Sequence, residues 1–466
     1  MRILLLYILV FCAILACTGC NKKAFLDTKP DASLVIPATL RDYQAILDND
    51  FIMNGVVNGT GLVPAMGEMG ADDYYIPQDF FNFYITPFKQ NCVIWAKKIY
   101  TGETVWDWNI DYISIFYANT ALDGVEKITP PASEQAAWNN IKGSALFYRA
   151  HLFYQLAQVF APPYDKQTAA SQWGIPLRLT PTVTETISRA TLEESYRKII
   201  ADLQTALPLL PAHPLYKTRP CRTAANALLA RVYQTMEVYD SALIYANAAL
   251  QDNPPLLDYN TLDTAGQFSF PRFSEEVIFN ATMVSSAGSP YPITTSIGIT
   301  DTTLLNAYAP DDLRRPVYFR DFGSGYSPIG GLSGGYDFFA GLATDELYLI
   351  KSECLARSGN IAEAMNTLNS LLIKRWKDGT FTPLTASTED EALFTVLAER
   401  RKELCFRGLR WTDLRRLNKD SRFAKTLYRY VNDQVYSLLP GDERYTYPIP
   451  DDVINFNPAM PQNKRE

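Results

Sequence analysis

Residues 222–255 read RTAANALLARVYQTMEVYDSALIYANAALQDNPP, and the placing of their small residues decides how the chain folds. Setting Ala242 and Ala249 seven apart on a second helix puts Ala230 and Tyr233 on a first helix and Pro254 just past the end, which is the tetratricopeptide spacing of about 34 residues. Alanine at those positions lets two antiparallel helices approach closely, Tyr fills the gap beside them, and Pro stops the second helix. A second unit covers residues 345–376. It carries Tyr348 and Leu355 on one helix, Gly359-Asn360 at the turn, and Ala364, Leu368 and Leu371 on the next. Gly359 suits a helix end that needs a positive φ.

Two looser pairs extend the pattern. Residues 141–160 form one helix, ended by Pro162-Pro163, and its partner over 191–210 opens with Thr191 and Glu194 at capping-box spacing. The last helix, 389–404, continues after Gly408 into 411–417. The fold is therefore read as mainly α, a tetratricopeptide-like scaffold of about four helical pairs lying mainly within residues 100–255 and 341–418. Residues 51–96, 256–340 and 431–466 differ in character, being rich in Gly, Pro, Tyr, Phe and Asn. They are read as an irregular, loop-rich ligand-binding layer on that scaffold, because loops of such length in a compact chain are usually functional.

Composition narrows the function. A net charge of −7 in 466 residues gives no surplus of Lys and Arg with which to release counterions from nucleic acid, so none is expected as a partner. With only His151 and His213 present, the commonest general base and metal ligand is nearly missing, and neither a metal nor a cofactor is expected. Aromatic residues make up 13% of the chain, more than a core alone asks for, which favours binding over chemistry.

At the N-terminus, Arg2 precedes an apolar run over 3–16, too short to span a hydrocarbon core of about 30 Å. Residues 1–19 are read as a lipoprotein signal peptide, with Cys20 as the lipid anchor and Cys17 as the competing position; residues 20–466 are the mature domain. Cys92, Cys221, Cys354 and Cys405 remain in the body, widely scattered, and are read as buried small hydrophobes.

Several motifs are weighed against plainer roles. Gly331-Leu332-Ser333-Gly334-Gly335 matches a nucleophile elbow, but no hydrophobic strand precedes it and no His follows it, so it is read as a loop. The pairs Asp311-Asp312 and Asp451-Asp452 are assigned to turns and caps. Asp72-Asp73 is kept as a ligand contact because Tyr74-Tyr75 follow directly. Glu399 and Glu403 are expected to supply internal partners to the arginines of Glu399-Arg400-Arg401-Lys402-Glu403-Leu404. Trp106, Trp108 and Trp411 are placed in the core, and Trp95, in a loop-rich aromatic stretch with Phe83, is taken as a ligand platform. The candidate ligand-binding residues are thus Asp72, Asp73, Tyr74, Tyr75, Phe83 and Trp95, with no catalytic residue assigned.

Together these strings resemble the SusD/RagB family of lipid-anchored nutrient-binding proteins. The likeness begins at Cys20 with Phe25-Leu26-Asp27-Thr28-Lys29-Pro30 and continues through residues 141–150 and Leu228-Leu229-Ala230-Arg231-Val232-Tyr233. Its most specific part is residues 399–404 with 406–416, followed by Tyr447-Pro448-Ile449-Pro450, Asn457-Pro458 and Gln462-Asn463. Arg407 departs from the pattern, standing where many members have an acidic residue. The resemblance implies a cell-surface, outer-membrane lipoprotein without enzymatic activity. Such a protein captures oligosaccharide or peptide fragments and delivers them to a SusC-like TonB-dependent transporter barrel. The alternative reading is a surface hydrolase acting on glycans or peptides.

Overall fold

The stretch at 222–255 folds as helices Arg222–Thr235 and Tyr239–Gln251 in a computed structural model that describes residues 37–55, 61–285 and 297–465. Cys17, Cys20 and the signal segment lie outside the described residues. Ala224, Ala225 and Ala230 of the first helix and Ala242, Ala246 and Ala249 of the second are all fully buried, so the small residues do form the seam between the two. Tyr233 stacks on Tyr245 across it, with ring centroids 5.5 Å apart. The pair Thr344–Arg357 and Ile361–Leu372 repeats the arrangement, turning at Gly359, whose φ of +78 is the left-handed value that glycine adopts without steric cost.

Helix Gln135–Phe160 lies between Trp106–Val125 on one side and Leu192–Ala206 on the other. Every residue from Gly143 to its end is buried, so it lacks a polar face and its periodicity is weak in the sequence. Its last carbonyls cannot be met by water. Arg189 donates to Phe160 O, Arg415 to Gln158 O and Ala161 O, and the Tyr447 N–H to Val159 O. Cations and donors at a helix C-terminus satisfy both the orphan carbonyls and the negative end of the dipole. The Thr191–Glu194 capping box is present at the start of Leu192–Ala206.

Helices Glu389–Glu403 and Arg410–Leu417 complete the scaffold. The remaining segments are less irregular than expected: they hold short helices such as Met66–Gly70 and Gln78–Phe83, and short antiparallel strand pairs. Two of these matter for the site, Tyr74–Tyr75 against Ile299–Thr300 and the hairpin Leu427–Val431 against Gln434–Leu438. The four cysteines of the body are buried free thiols. Trp108 and Trp411 are buried as expected, but Trp106 is 39% exposed, because it lies on the same helix face as Ile113 and Phe116, which are exposed too, while Trp108 faces the opposite side. No described helix is long and apolar enough to cross a membrane.

The alanine seam yields a direct expectation. Ala246→Leu inserts bulk into a fully closed contact and should destabilise the chain by about 1–3 kcal/mol, whereas Ile244→Ser, on the exposed face of the same helix, should shift stability by less than about 0.5 kcal/mol. Urea unfolding midpoints of the two variants distinguish these outcomes.

Candidate ligand-binding site

The site is built around the charged string of helices Glu389–Glu403 and Arg410–Leu417. Its glutamates do not mainly serve the string's own arginines. Glu403 receives Arg375 at 2.6 Å and Arg314 at 3.1 Å, while Glu399 receives Arg314 at 2.7 Å and, as its one partner within the string, Lys402. The arginines of the string reach outward instead: Arg400 to Asp413 at 2.8 Å, Arg401 to Asp73 at 2.8 Å and Arg410 to Asp72 at 2.6 Å. The expected local ladder is thus corrected to a long-range web. Helix Glu389–Glu403 packs against several segments, so all of these charges except the Glu399–Lys402 pair find their partners elsewhere in the chain.

This web claims the aspartates that were expected to meet a ligand. Asp72 takes both Nε and Nη2 of Arg410 and also Lys425 at 2.7 Å, and Asp73 is fully buried against Arg401. Burial would raise the Asp72 carboxyl, but Arg410, with Arg401 and Lys425, holds it well below the usual carboxylate range. Burial dominates at Asp73 and raises it. Beneath them Glu68 is pushed up to about 8 by burial and then by the charge of Asp73; its Oε2 accepts the Gly408 N–H at 3.1 Å.

Trp95 is also corrected from platform to core. It is fully enclosed, its indole N–H donates to Gly70 O at 2.9 Å, and the Arg429 guanidinium lies over its ring. Tyr74 is buried with its hydroxyl donating to Met69 O at 2.7 Å. Helix Met66–Gly70 lies flat on Trp411, where a Cβ at Gly70 would come within 2.8 Å of that ring, and Asp107 caps the start by accepting the N–H groups of Ala65 and Met66. Asp72, Asp73, Tyr74 and Trp95 are therefore the base of the site and offer no ring or free carboxylate to a ligand.

Of the candidates, Tyr75 and Phe83 remain at the surface, 42% and 79% exposed. The structure adds Tyr84, Tyr428 and Tyr430 to them, all exposed. On strand Leu427–Val431 the alternation is strict: Leu427, Arg429 and Val431 face in and Tyr428 and Tyr430 face out. Arg429 fastens the inner face by donating to Tyr74 O and Ala71 O. Asn82 and Asn432 exchange side-chain amide hydrogen bonds at 2.9 Å, tying the helix that carries Phe83 to the hairpin turn. The period-2 pattern was legible in the sequence at 427–431 and was the signal for the two tyrosines; the Asn82–Asn432 tie had none.

Other chemical candidates are accounted for. Ser333 Oγ donates to Asp337 O within a turn that leads into no helix. His151 is buried and lowered to about 3 by burial, with Arg231 adding to the shift, so it stays neutral. Glu276, Asp345 and Glu403 bring oxygens within 4.8 Å of one another, as a metal would need. Those carboxylates are taken by Arg375, by Arg314, by Arg407 at 2.5 Å from Asp345, and by the N–H groups of Leu257 and Glu346. The departure at Arg407 is thus an ion pair.

Residues 24–234 match a family model described as "Starch-binding associating with outer membrane", and residues 344–465 match one described as "SusD family". The chain belongs to the SusD/RagB family, which is associated with the outer membrane. SusD-like protein P2 of Formosa agariphila is 25% identical over 416 residues, 76% of this chain and 79% of that protein. A SusD superfamily protein from Bacteroides thetaiotaomicron superposes with a TM-score of 0.71 at 22% identity, covering 92% of this chain and 100% of the other. Surface glycan-binding protein A from Bacteroides uniformis does so with a TM-score of 0.67 at 17% identity and the same coverage. The likeness to both structures is one of fold.

Two outcomes follow from the ion clamp. Arg401→Met leaves Asp73 buried without its partner and should cost about 3 kcal/mol, the lower part of the range for breaking a buried pair because Arg410 remains nearby; urea unfolding measures it. Glu68 binds its proton more tightly when folded than unfolded, so its contribution to stability is complete below about 4.5 and declines as pH rises toward about 8. Glu68→Gln should therefore lose less stability than the parent between pH 5 and pH 8, a difference read from unfolding midpoints at the two values.

Proposed function

We propose that this chain is a non-catalytic lipoprotein of the cell surface, anchored through Cys20 after removal of residues 1–19. In this reading it captures glycan fragments on the face carrying Tyr75, Phe83, Tyr84, Tyr428 and Tyr430 and delivers them to a SusC-like TonB-dependent transporter barrel. The observation that carries the reading is the partition of the aromatic loop: its charged and indole groups are sequestered in the base, and its remaining rings face solvent on a base held by buried ion pairs. Exposed rings on a rigid support give flat apolar faces at low entropic cost to the ligand-bound state. Such faces suit the C–H faces of a sugar and also apolar peptide side chains. The likeness in fold to surface glycan-binding protein A of Bacteroides uniformis favours the glycan.

A hydrolase would need a free carboxylate pair, and the pair in this region, Asp72-Asp73, is committed to Arg410, Arg401 and Lys425. Calorimetric titration against oligosaccharide and peptide panels tests the proposal. Tyr75→Ala and Phe83→Ala should each weaken glycan binding about tenfold, some 1.4 kcal/mol, with unfolding midpoints unchanged because both rings are exposed. Undiminished affinity in the double variant, or turnover of the bound fragment, would count against the reading.

A further inference from the structure

At the end of helix Gln135–Phe160 opposite its start, five separate segments converge on a cleft of about 770 Å³ that shares no residue with the aromatic face. Pro162-Pro163 lead out of the long helix, and the turn-rich residues 165–173 form one wall. The end of helix Arg410–Leu417, the turn at 441–446 and the tail at 462–464 form the others. Its volume lies within the range of about 300–1,000 Å³ typical of clefts that hold small ligands.

The chemistry of its lining is mixed in a specific way. Trp173, at the start of strand Trp173–Pro176, presents its ring to the cleft and is 46% exposed. Arg415 is 96% removed from solvent by its 4% exposure, donates its two terminal nitrogens to Gln158 O and Ala161 O, and has no carboxylate partner among the described residues. Its Nε has no hydrogen-bond partner, and neither does Gln172 Oε1. These two atoms are closed to solvent, and the polar groups the cleft itself offers are those of the exposed Thr168, Ser171, Glu443, Gln462 and Lys464, donors and acceptors together. Asp165, Glu443 and Lys464 also line it and form no ion pair with any described residue. Together with Arg415 they balance two positive against two negative charges. The cleft has no net field to draw an anion such as a phosphate or sulfate.

A ligand matched to this wall carries donors and acceptors together, is neutral, and has one apolar face for an indole. A hydroxyl supplies donor and acceptor in one group, and a pyranose ring sets several hydroxyls around a C–H face. We infer that the Trp173 cleft is a second binding site for a neutral saccharide, separate from the aromatic face. The inference shares the ligand class of the proposed function but none of its residues.

The test is calorimetry of the full mature chain in detergent against maltoheptaose, xylohexaose, mannohexaose and laminarihexaose, with a heparin-derived hexasaccharide as the anionic arm. The Tyr75→Ala/Phe83→Ala chain should retain binding of at least one neutral probe, and adding Trp173→Ala should weaken that residual binding tenfold or more. Ser171→Arg, which places a long side chain at the exposed rim, should do the same and serves if Trp173→Ala fails to fold. The inference is overturned if residual binding is indifferent to both changes, if only the heparin probe binds there, or if no neutral probe binds the chain lacking Tyr75 and Phe83. In the last case, binding by the parent chain leaves the aromatic face standing alone. Loss on Trp173→Ala with no effect of Tyr75→Ala/Phe83→Ala would instead support the cleft and remove the face.

Discussion

Two arginines hold the architecture of the site: Arg401 on Asp73 and Arg410 on Asp72, across 328 and 338 residues of chain. They clamp the aromatic segment at 71–75 to the ends of two scaffold helices. A buried pair of this kind adds little net stability over a well-packed apolar contact, because both charges must be stripped of water first. Its effect is on alternatives. Any other docking of the loop would leave charges buried and unmatched, which is far more costly than the pair is favourable. The clamp therefore acts on the placement of the loop more than on the depth of the native well.

The same logic recurs through the core. Arg314, Arg375 and Arg231 are almost wholly buried, each bonded to a glutamate from a distant segment, while Arg189 and Arg415 close the carbonyl end of helix Gln135–Phe160. Guanidinium suits this work because its planar fork of donors meets two acceptors at once and stays charged when desolvated. The scaffold contributes shape through its alanine seams; the arginines decide which loop lies against which helix.

Rings divide along the same boundary. Where a guanidinium or a backbone carbonyl reaches a ring from below, as Arg429 reaches Tyr74 and Trp95, that ring belongs to the base. Where strand alternation turns a ring away, as at Tyr428 and Tyr430, it belongs to the surface. Of the exposed rings, Tyr75, Tyr428 and Tyr430 ride on short paired strands, and Phe83 ends a short helix tied to the hairpin through Asn82 and Asn432.

By itself the sequence determined the local elements: the paired helices and their small-residue seam, the Thr191–Glu194 cap, the turn at Gly359 and the stop at Pro162-Pro163. These follow from periodicity and from conformational preferences that act within a few residues. The helix Gln135–Phe160 was readable from the stripe Leu146, Ala150, Phe153 and Ala157 and from its proline stop, whereas the burial of its other faces from Gly143 on was not. Only the tertiary structure decided the fate of Asp72, Asp73, Tyr74 and Trp95, which sequence reasoning placed at the ligand and folding buried, and only it exposed Trp106. The physical reason is that burial and ion pairing depend on which groups arrive from far along the chain. Asp73 has the same neighbours in sequence whether or not Arg401 is there to cover it.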